Sequence, residues 1–143
     1  MFIDSQELFS DSQAITATAA STNLVDLGAI RDLGLGENIY VVVACTVAMT
    51  DASSDSTVTV TIETDDSASF GSATTTQTIG AFAAVSAAGT QLIARLGIGQ
   101  MNERFARLKY TVANGNLTTG SFDAFLTHDI QKATVYADAI TIS

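Results

Sequence analysis

An all-β, antiparallel sandwich is what this sequence predicts, on three observations. Thr57 to Glu63 reads Thr-Val-Thr-Val-Thr-Ile-Glu. That strict alternation puts Val58, Val60 and Ile62 on one face of a pleated strand and the threonines on the other. Similar segments recur from end to end of a chain that contains no proline. Between them, clusters of Gly, Asn, Asp and Ser fall at even spacing, the rhythm of short strands in a sandwich or barrel, and no βαβ alternation interrupts it.

Turn signals delimit about eight strands. The chain opens with an amphipathic arm, 1–12, in which Asp4-Ser5-Gln6 recurs as Asp11-Ser12-Gln13 and Phe2, Ile3, Leu8 and Phe9 supply the apolar side. Segments 14–18 and 23–27 follow, the second closed by Gly28. Segment 39–47 lies in the longest apolar run, with Ile39, Val41, Val43, Cys45 and Val47 in one register. After 57–64 come 74–79, rich in threonine, and 90–96. In 105–113 Leu108, Tyr110 and Val112 face inward, which leaves Phe105, Arg107, Lys109 and Thr111 outside. Asn114-Gly115-Asn116 carries the positive-φ chemistry of a tight primed turn, so 105–113 and 117–128 are expected to pair as a hairpin. In 121–128 Phe122, Ala124 and Leu126 alternate inward, and Asp123, Phe125 and Thr127 outward. Loops 49–56, 65–73 and 97–104 suit strands that cross between sheets. A second arm, within 129–143, carries Val135, Tyr136, Ile140 and Ile142. Both arms are read first as edge strands along their own domain and second as segments exchanged with a neighbouring copy.

The 143 residues fit one domain, and a hydrophobic fraction of 47% supports a sizeable core. Fifteen acids against six bases give a formal charge of −9 and a pI near 4.1. Such a chain is repelled by phosphate backbones and anionic lipid, so neither nucleic acid nor membrane is an expected partner. A single cysteine, no basic and apolar leader, and no run of the roughly 20 apolar residues that span a bilayer point to folding in a cytosol.

Chemistry-bearing residues are sparse. One histidine, His128, at a strand end, supplies neither a multi-histidine metal centre nor the base of a triad, and Ser86 and Ser121 sit in no nucleophile elbow. Cys45 reads as a small buried hydrophobe. Gly34-Leu35-Gly36 and Gly97-Ile98-Gly99 lack the third glycine and the helix of a phosphate cradle and read as turns. Asn116-Leu117-Thr118 is a chance sequon. Asp51, Asp55, Asp65 and Asp66 fall in two loops and would hold a cation such as calcium only if those loops met; solvated carboxylates are the preferred reading.

The more specific feature is a cluster of cations. Arg95, Arg104, Arg107 and Lys109 lie in a 15-residue window whose one acid is Glu103. Alternation sends Ile93 and Arg95 outward, beside Phe105, Arg107, Lys109 and, across the expected hairpin, Phe125. Aromatic residues with arginine are the mix enriched at protein interfaces.

Met1-Phe2-Ile3-Asp4, Phe9-Ser10-Asp11-Ser12-Gln13-Ala14, Ser21-Thr22-Asn23-Leu24-Val25-Asp26-Leu27-Gly28, Leu33-Gly34-Leu35-Gly36-Glu37 and Tyr136-Ala137-Asp138 resemble the capsid cement (decoration) proteins of tailed phages of the Bordetella podovirus type. None of these strings is a chemical motif; the resemblance is one of pattern over essentially the whole chain. It implies a jelly roll on the outside of an icosahedral shell, homo-oligomeric over local symmetry axes, with no catalytic or ligand-binding set.

The resulting expectation is an eight-stranded antiparallel jelly-roll sandwich. It forms one domain over 1–143, with arm 1–12, β core 13–128, and an arm or last strand at 129–143. The chain is expected to be non-enzymatic, without cofactor or metal, assembled in the host cytoplasm and carried on the capsid exterior of the virion. Its expected partners are the phage major capsid protein and itself, as a homodimer or else a homotrimer. The expected interface is Phe2, Ile3, Phe9, Ile93, Arg95, Phe105, Arg107, Lys109, Phe125 and Tyr136. The alternative is a carbohydrate-binding jelly-roll module or adhesin, which Tyr40, Tyr110 and Tyr136, without any tryptophan, would have to serve.

Overall fold

The computed structural model describes residues 5–33, 36 and 38–128. Among them a 3-10 turn (Ser5–Glu7) precedes nine strands: β1 (Leu8–Ala14), β2 (Ala19–Ala20), β3 (Val25–Asp26), β4 (Tyr40–Thr50), β5 (Thr57–Asp65), β6 (Thr74–Phe82), β7 (Gln91–Arg95), β8 (Phe105–Ala113) and β9 (Thr119–Thr127). They form two antiparallel sheets. The first has the order β1-β9-β4-β7; the second is β2-β8-β5-β6, with β3 also paired to β8. The all-β sandwich is as expected. The ninth strand arises because the chain before β4 meets β8 in two separate two-residue pieces, β2 and β3.

The hairpin expected across Asn114-Gly115-Asn116 does not exist. Asn114 and Gly115 take φ of 63° and 106°, but the turn is a corner between sheets. β8 pairs β5 from Thr57↔Ala113 to Asp65↔Phe105, and β9 pairs β4 and β1. The corner lies against the β4–β5 loop: the Ser56 Oγ is 3.0 Å from the Gly115 carbonyl oxygen, and the Asn114 side-chain amide donates to the Asp55 carbonyl at 3.3 Å. The loops 49–56 and 97–104 do cross between sheets, whereas 65–73 closes a hairpin, β5 with β6.

The core is the space between the sheets. Val41, Val43 and Cys45 of β4 and Phe122, Ala124 and Leu126 of β9 meet Val58, Val60 and Ile62 of β5 and Leu108 and Tyr110 of β8. Phe122 links the layers, its ring 4.9 Å from Phe82 and 5.5 Å from Tyr110, centroid to centroid. Cys45 lies buried in its expected register, and burial pushes its thiol pKa up. Val47, placed in the same register by the sequence, is instead turned to solvent, because a register shift separates it from Cys45.

The N-terminal segment needs the largest correction. Leu8–Ala14 is β1, an edge strand of its own domain, as the first reading of the arms held. Phe9, however, is no docking residue: it is fully buried in the core. A register shift between Leu8 and Ser10 breaks the alternation and lets both Phe9 and Ser10 point inward. The buried Ser10 Oγ lies 2.8 Å from the Tyr110 hydroxyl, across the sandwich, and 2.8 Å from Gln13 Oε1, to which it donates. With its one proton given to Gln13, Ser10 accepts from Tyr110. Gln13 Oε1 also receives the Thr22 amide at 2.9 Å while its Nε2 donates to the Ala20 carbonyl at 2.9 Å, so one glutamine stitches β1 to the chain entering the opposite sheet. The Tyr110 pKa is pushed up to about 12 by burial, against the opposing Ser10 hydrogen bond and with the Asp123 charge adding to it.

Two outcomes follow. Ser10→Ala strands a buried phenol and is expected to cost about 1–3 kcal/mol, more than the ~1 kcal/mol of Tyr110→Phe, in urea unfolding. Because the raised pKa favours the neutral phenol in the folded state, that contribution is intact below about pH 10 and lost as pH rises towards 12; Tyr110→Phe removes this alkaline component. Phe9→Ala is expected to cost about 3–5 kcal/mol, the range of a core aromatic; a loss within about 0.5 kcal/mol would return residue 9 to the surface.

Candidate functional site

Phe2, Ile3 and Tyr136 lie outside the described residues. The other expected interface residues do not share one face. Phe105, Arg107 and Lys109 stand on β8 in the second sheet, while Ile93 and Arg95 on β7 and Phe125 on β9 belong to the first. A single flank requires β8 to lie beside β9 and β7, and the corner at Asn114 sends them to opposite layers.

On the outer face of the second sheet the cations are engaged by the chain itself. Glu63, directly opposite Arg107 on β5, is almost wholly buried. It holds Arg107 Nη2 at 2.9 Å and Lys109 Nζ at 3.4 Å. The Arg107 guanidinium carbon also lies 4.2 Å from the ring centre of Phe70, which the β5–β6 loop folds onto this face. Asp65 holds that loop closed. Its carboxylate accepts the Ser67 amide at 2.9 Å and the Ser72 amide at 2.8 Å, and these bonds keep its pKa below the ordinary carboxylate range. Phe105 is half-buried under Arg104, whose guanidinium carbon is 4.8 Å from the ring centre. Arg104 in turn forks onto Asp26 at 2.9 and 3.1 Å and, with the Gly28 amide, lowers the Asp26 pKa. What the sequence reads as an open cationic-aromatic flank is in large part a self-clamped surface.

On the outer face of the first sheet, strand register lines up Leu8, Phe125, Val42 and Ile93 in one row across all four strands. Phe125 does face outward, but it is buried with Val42, and Leu8 packs against the pair. Ile93, at the β7 edge, is exposed, as is Arg95 two residues on.

The acidic loops cannot combine. Asp51 and Asp55 precede β5 and Asp65 and Asp66 end or follow it; nine extended residues hold the two groups roughly 30 Å apart. Asp51, like Asp65, closes its own loop, accepting the Ser56 hydroxyl at 2.8 Å. Among the described residues no group of three or more His, Cys, Asp or Glu is placed to hold a metal ion.

The surface that sequence reasoning missed is the end of the sandwich where β3 leads to β4 and β7 to β8. There Ile30 and Ile98 are 72% and 73% exposed, the highest values among the exposed large hydrophobics. A cleft of about 340 Å³ opens at this end, floored by Val25, Leu33 and Leu126, with Arg31 and His128 in its lining. His128 Nδ1 lies 3.2 Å from the Asn38 carbonyl. The available signal was Gly97-Ile98-Gly99: a β-branched apolar residue between two glycines is out of place in a turn that serves only to turn.

A family model described as Bbp16, named for a Bordetella phage protein, matches residues 9–126, from β1 almost to the end of β9. No curated protein matches the chain.

The Asp65 clamp gives a pH dependence of definite sign. A depressed carboxylate pKa contributes stability that is complete above the unfolded value near 3.9 and lost as pH falls from there through the folded one. Asp65→Asn is therefore expected to lower the melting temperature at pH 7 and to flatten its further decline below about pH 4; a decline as steep as that of the unsubstituted chain would show that the clamp carries no acid sensitivity.

Proposed function

This chain belongs to the Bbp16 family, and from that premise we propose that it is a structural cement protein on the outer surface of a phage head, where it bridges neighbouring major-capsid-protein subunits as a homo-oligomer, a dimer in the first instance. The observation that carries the reading is the extent of the family match: residues 9–126 take in all of the sandwich but its first and last strand residues, so the phage-protein assignment covers the fold and not a fragment of it. The strand order supports it. With β2 and β3 taken as one interrupted strand, each sheet holds four strands drawn from both halves of the chain, which is compatible with the jelly roll that the resemblance implies. The use of the polar side chains supports it too: Glu63, Asp65, Asp51 and Asp26 each hold a neighbouring strand or loop in place.

The physical task is differential binding. Contacts that exist only when adjacent capsomers take the mature arrangement stabilise that arrangement by mass action. Each contact can be modest, because a copy joined to its own partner and to more than one shell subunit rebinds at high effective concentration.

The test is decoration. Heads of the encoding phage, prepared from a strain lacking this gene, are mixed with the purified chain and sedimented. Saturable co-sedimentation, with a rise in the temperature at which the heads release DNA, is expected. A chain that stays in the supernatant refutes the cement role, and one that binds glycans and not heads would make it an adhesin module.

A further inference from the structure

Among the described residues the two sheets leave four edges, and three of them are blunted. β1 is interrupted by two register shifts, β6 by two more, and β2 and β3 are pieces of two residues each. Bulges and short pieces are what keep a strand edge from pairing with another chain. The fourth edge, β7, pairs β4 from Tyr40↔Arg95 to Ala44↔Gln91 without a shift, and it contains neither lysine nor proline. Its five residues suffice for a short ladder.

The direction of its backbone groups follows from the bonds at its two ends. The Thr90 carbonyl accepts the Cys45 amide at 2.8 Å, and the Leu96 amide donates to the Ile39 carbonyl at 2.8 Å. Alternation along an antiparallel ladder then turns Leu92 and Ala94 to β4, and Gln91, Ile93 and Arg95 to the open side. The Gln77 side-chain amide donates to the Arg95 carbonyl at 3.2 Å from that side, in agreement. At the centre, Ile93 faces the open edge with both its backbone groups. Its side chain, 43% exposed, ends the outer-face row that starts at Leu8.

Charge indicates which partner the edge fits. Residues 67–94, from the β5–β6 loop through β6 into β7, carry no charged side chain, and neither do 38–50, which include β4. In a chain of net charge −9, β7 therefore lies among uncharged neighbours. The charges that border it stand at the margins: Arg95 at the end of β7, Asp66 where the β5–β6 loop begins, Asp51 and Asp55 beyond the end of β4, and Asp123 two strands in on β9, held by the Ser12 amide at 2.6 Å. A two-fold axis sets every group against its own copy, so a charged edge repels itself and an uncharged one does not. The same uncharged segments hold Val47, Val85 and Ile93, three of the six exposed large hydrophobics among the described residues.

We propose that β7 is the dimer contact: it pairs antiparallel with β7 of a second copy about a two-fold axis at Ile93, which joins the two first sheets into one. Ile93 exchanges N–H···O=C bonds with Ile93 of the second copy, and the two side chains meet on the outer face. The row of Leu8, Phe125, Val42 and Ile93 then runs on into its own image. Gln91 of each copy stands opposite Arg95 of the other. That keeps the two Arg95 residues on opposite sides of the axis, roughly 13 Å apart along the strands and past the Debye length of physiological salt. The inference rests on the homo-oligomer of the proposed function and is independent of where the shell is met.

The experiment reads the oligomeric state of the full chain in solution. Sedimentation velocity is expected to show a dimer, and Ile93→Lys, which sets a lysine against its own copy at the axis, to raise its dissociation constant at least tenfold. Ile98→Lys, at the loop end, is expected to leave the dimer intact. Thermal melting checks that both variants are folded. If Ile93→Lys is not, Ile93→Cys gives an independent reading. The Cα atoms of a hydrogen-bonded antiparallel pair lie about 5.5 Å apart, within disulfide reach, so mild oxidation is expected to link two copies through position 93 and to leave Ile98→Cys unlinked. A dimer lost in Ile93→Lys, or linked through position 93, supports the proposal whether or not the chain decorates heads. A dimer that folded Ile93→Lys leaves intact, or a chain that is a monomer at concentrations that saturate heads, overturns it and leaves the cement role standing; the edge then belongs to the shell protein or to residues 129–143.

Discussion

The inward faces of β8 and β9 oppose each other across the core without ever pairing, and the architecture depends on that opposition. Tyr110 stacks beside Phe122, Phe122 meets Phe82, and the phenol of Tyr110 reaches across to Ser10 on β1. An aromatic bridge of this kind fixes the spacing of the layers, and its one polar bond fixes their lateral registration, since a buried hydroxyl tolerates no position in which its partner is lost. Through Ser10 and Gln13 the registration passes to the first strand and to the chain entering β2, so the N-terminal segment is part of the body.

With the core settled between the sheets, the outer faces are free to differ. The second sheet turns its charges on itself: one nearly buried carboxylate, Glu63, gathers two cations while the Asp65-closed loop lays Phe70 against one of them. A carboxylate so buried would be costly alone, and the cations are what make it tolerable. The same pairing removes them from the set available to a partner. A count of exposed-register cations in the sequence therefore overstates the charge that this face offers.

Seven of the eight expected strands fall on observed ones: 23–27 encloses the short β3, and 39–47, 57–64, 74–79, 90–96, 105–113 and 121–128 lie on longer strands bounded by the turn residues that delimited them. The N-terminal strand was illegible for a local reason: the register shift after Leu8 turns Phe9 and Ser10 to the same side, and period two fails there. Partner choice was illegible for a different reason. Asn114-Gly115 demands positive φ whether the chain reverses within a sheet or turns a corner between sheets, so turn chemistry could not say that β8 meets β5 and β9 meets β4. The candidate interface inherited that error: its residues were placed outward correctly in most cases, yet on two sheets instead of one. The exposed loop end was visible only as an anomaly, an isoleucine flanked by glycines.

Topology links this fold to the role proposed for it. Apart from β5 with β6, the strand pairings join segments distant in sequence, and the first strand closes against the last of the described ones. Contacts of that kind form late and slowly. A strand seated between two others, as β9 is between β1 and β4, cannot leave without breaking both ladders. Local opening is accordingly suppressed wherever the loops are anchored in those central strands. The loop around Ile30 joins β3 to β4 and that around Ile98 joins β7, an edge strand, to β8, so each has one end in a strand paired on both sides, and their mutual hydrogen bonds tie the two loops together. In the role proposed, contacts have to be held in one geometry while the shell beneath is under load, and a body closed by long-range pairings meets that demand.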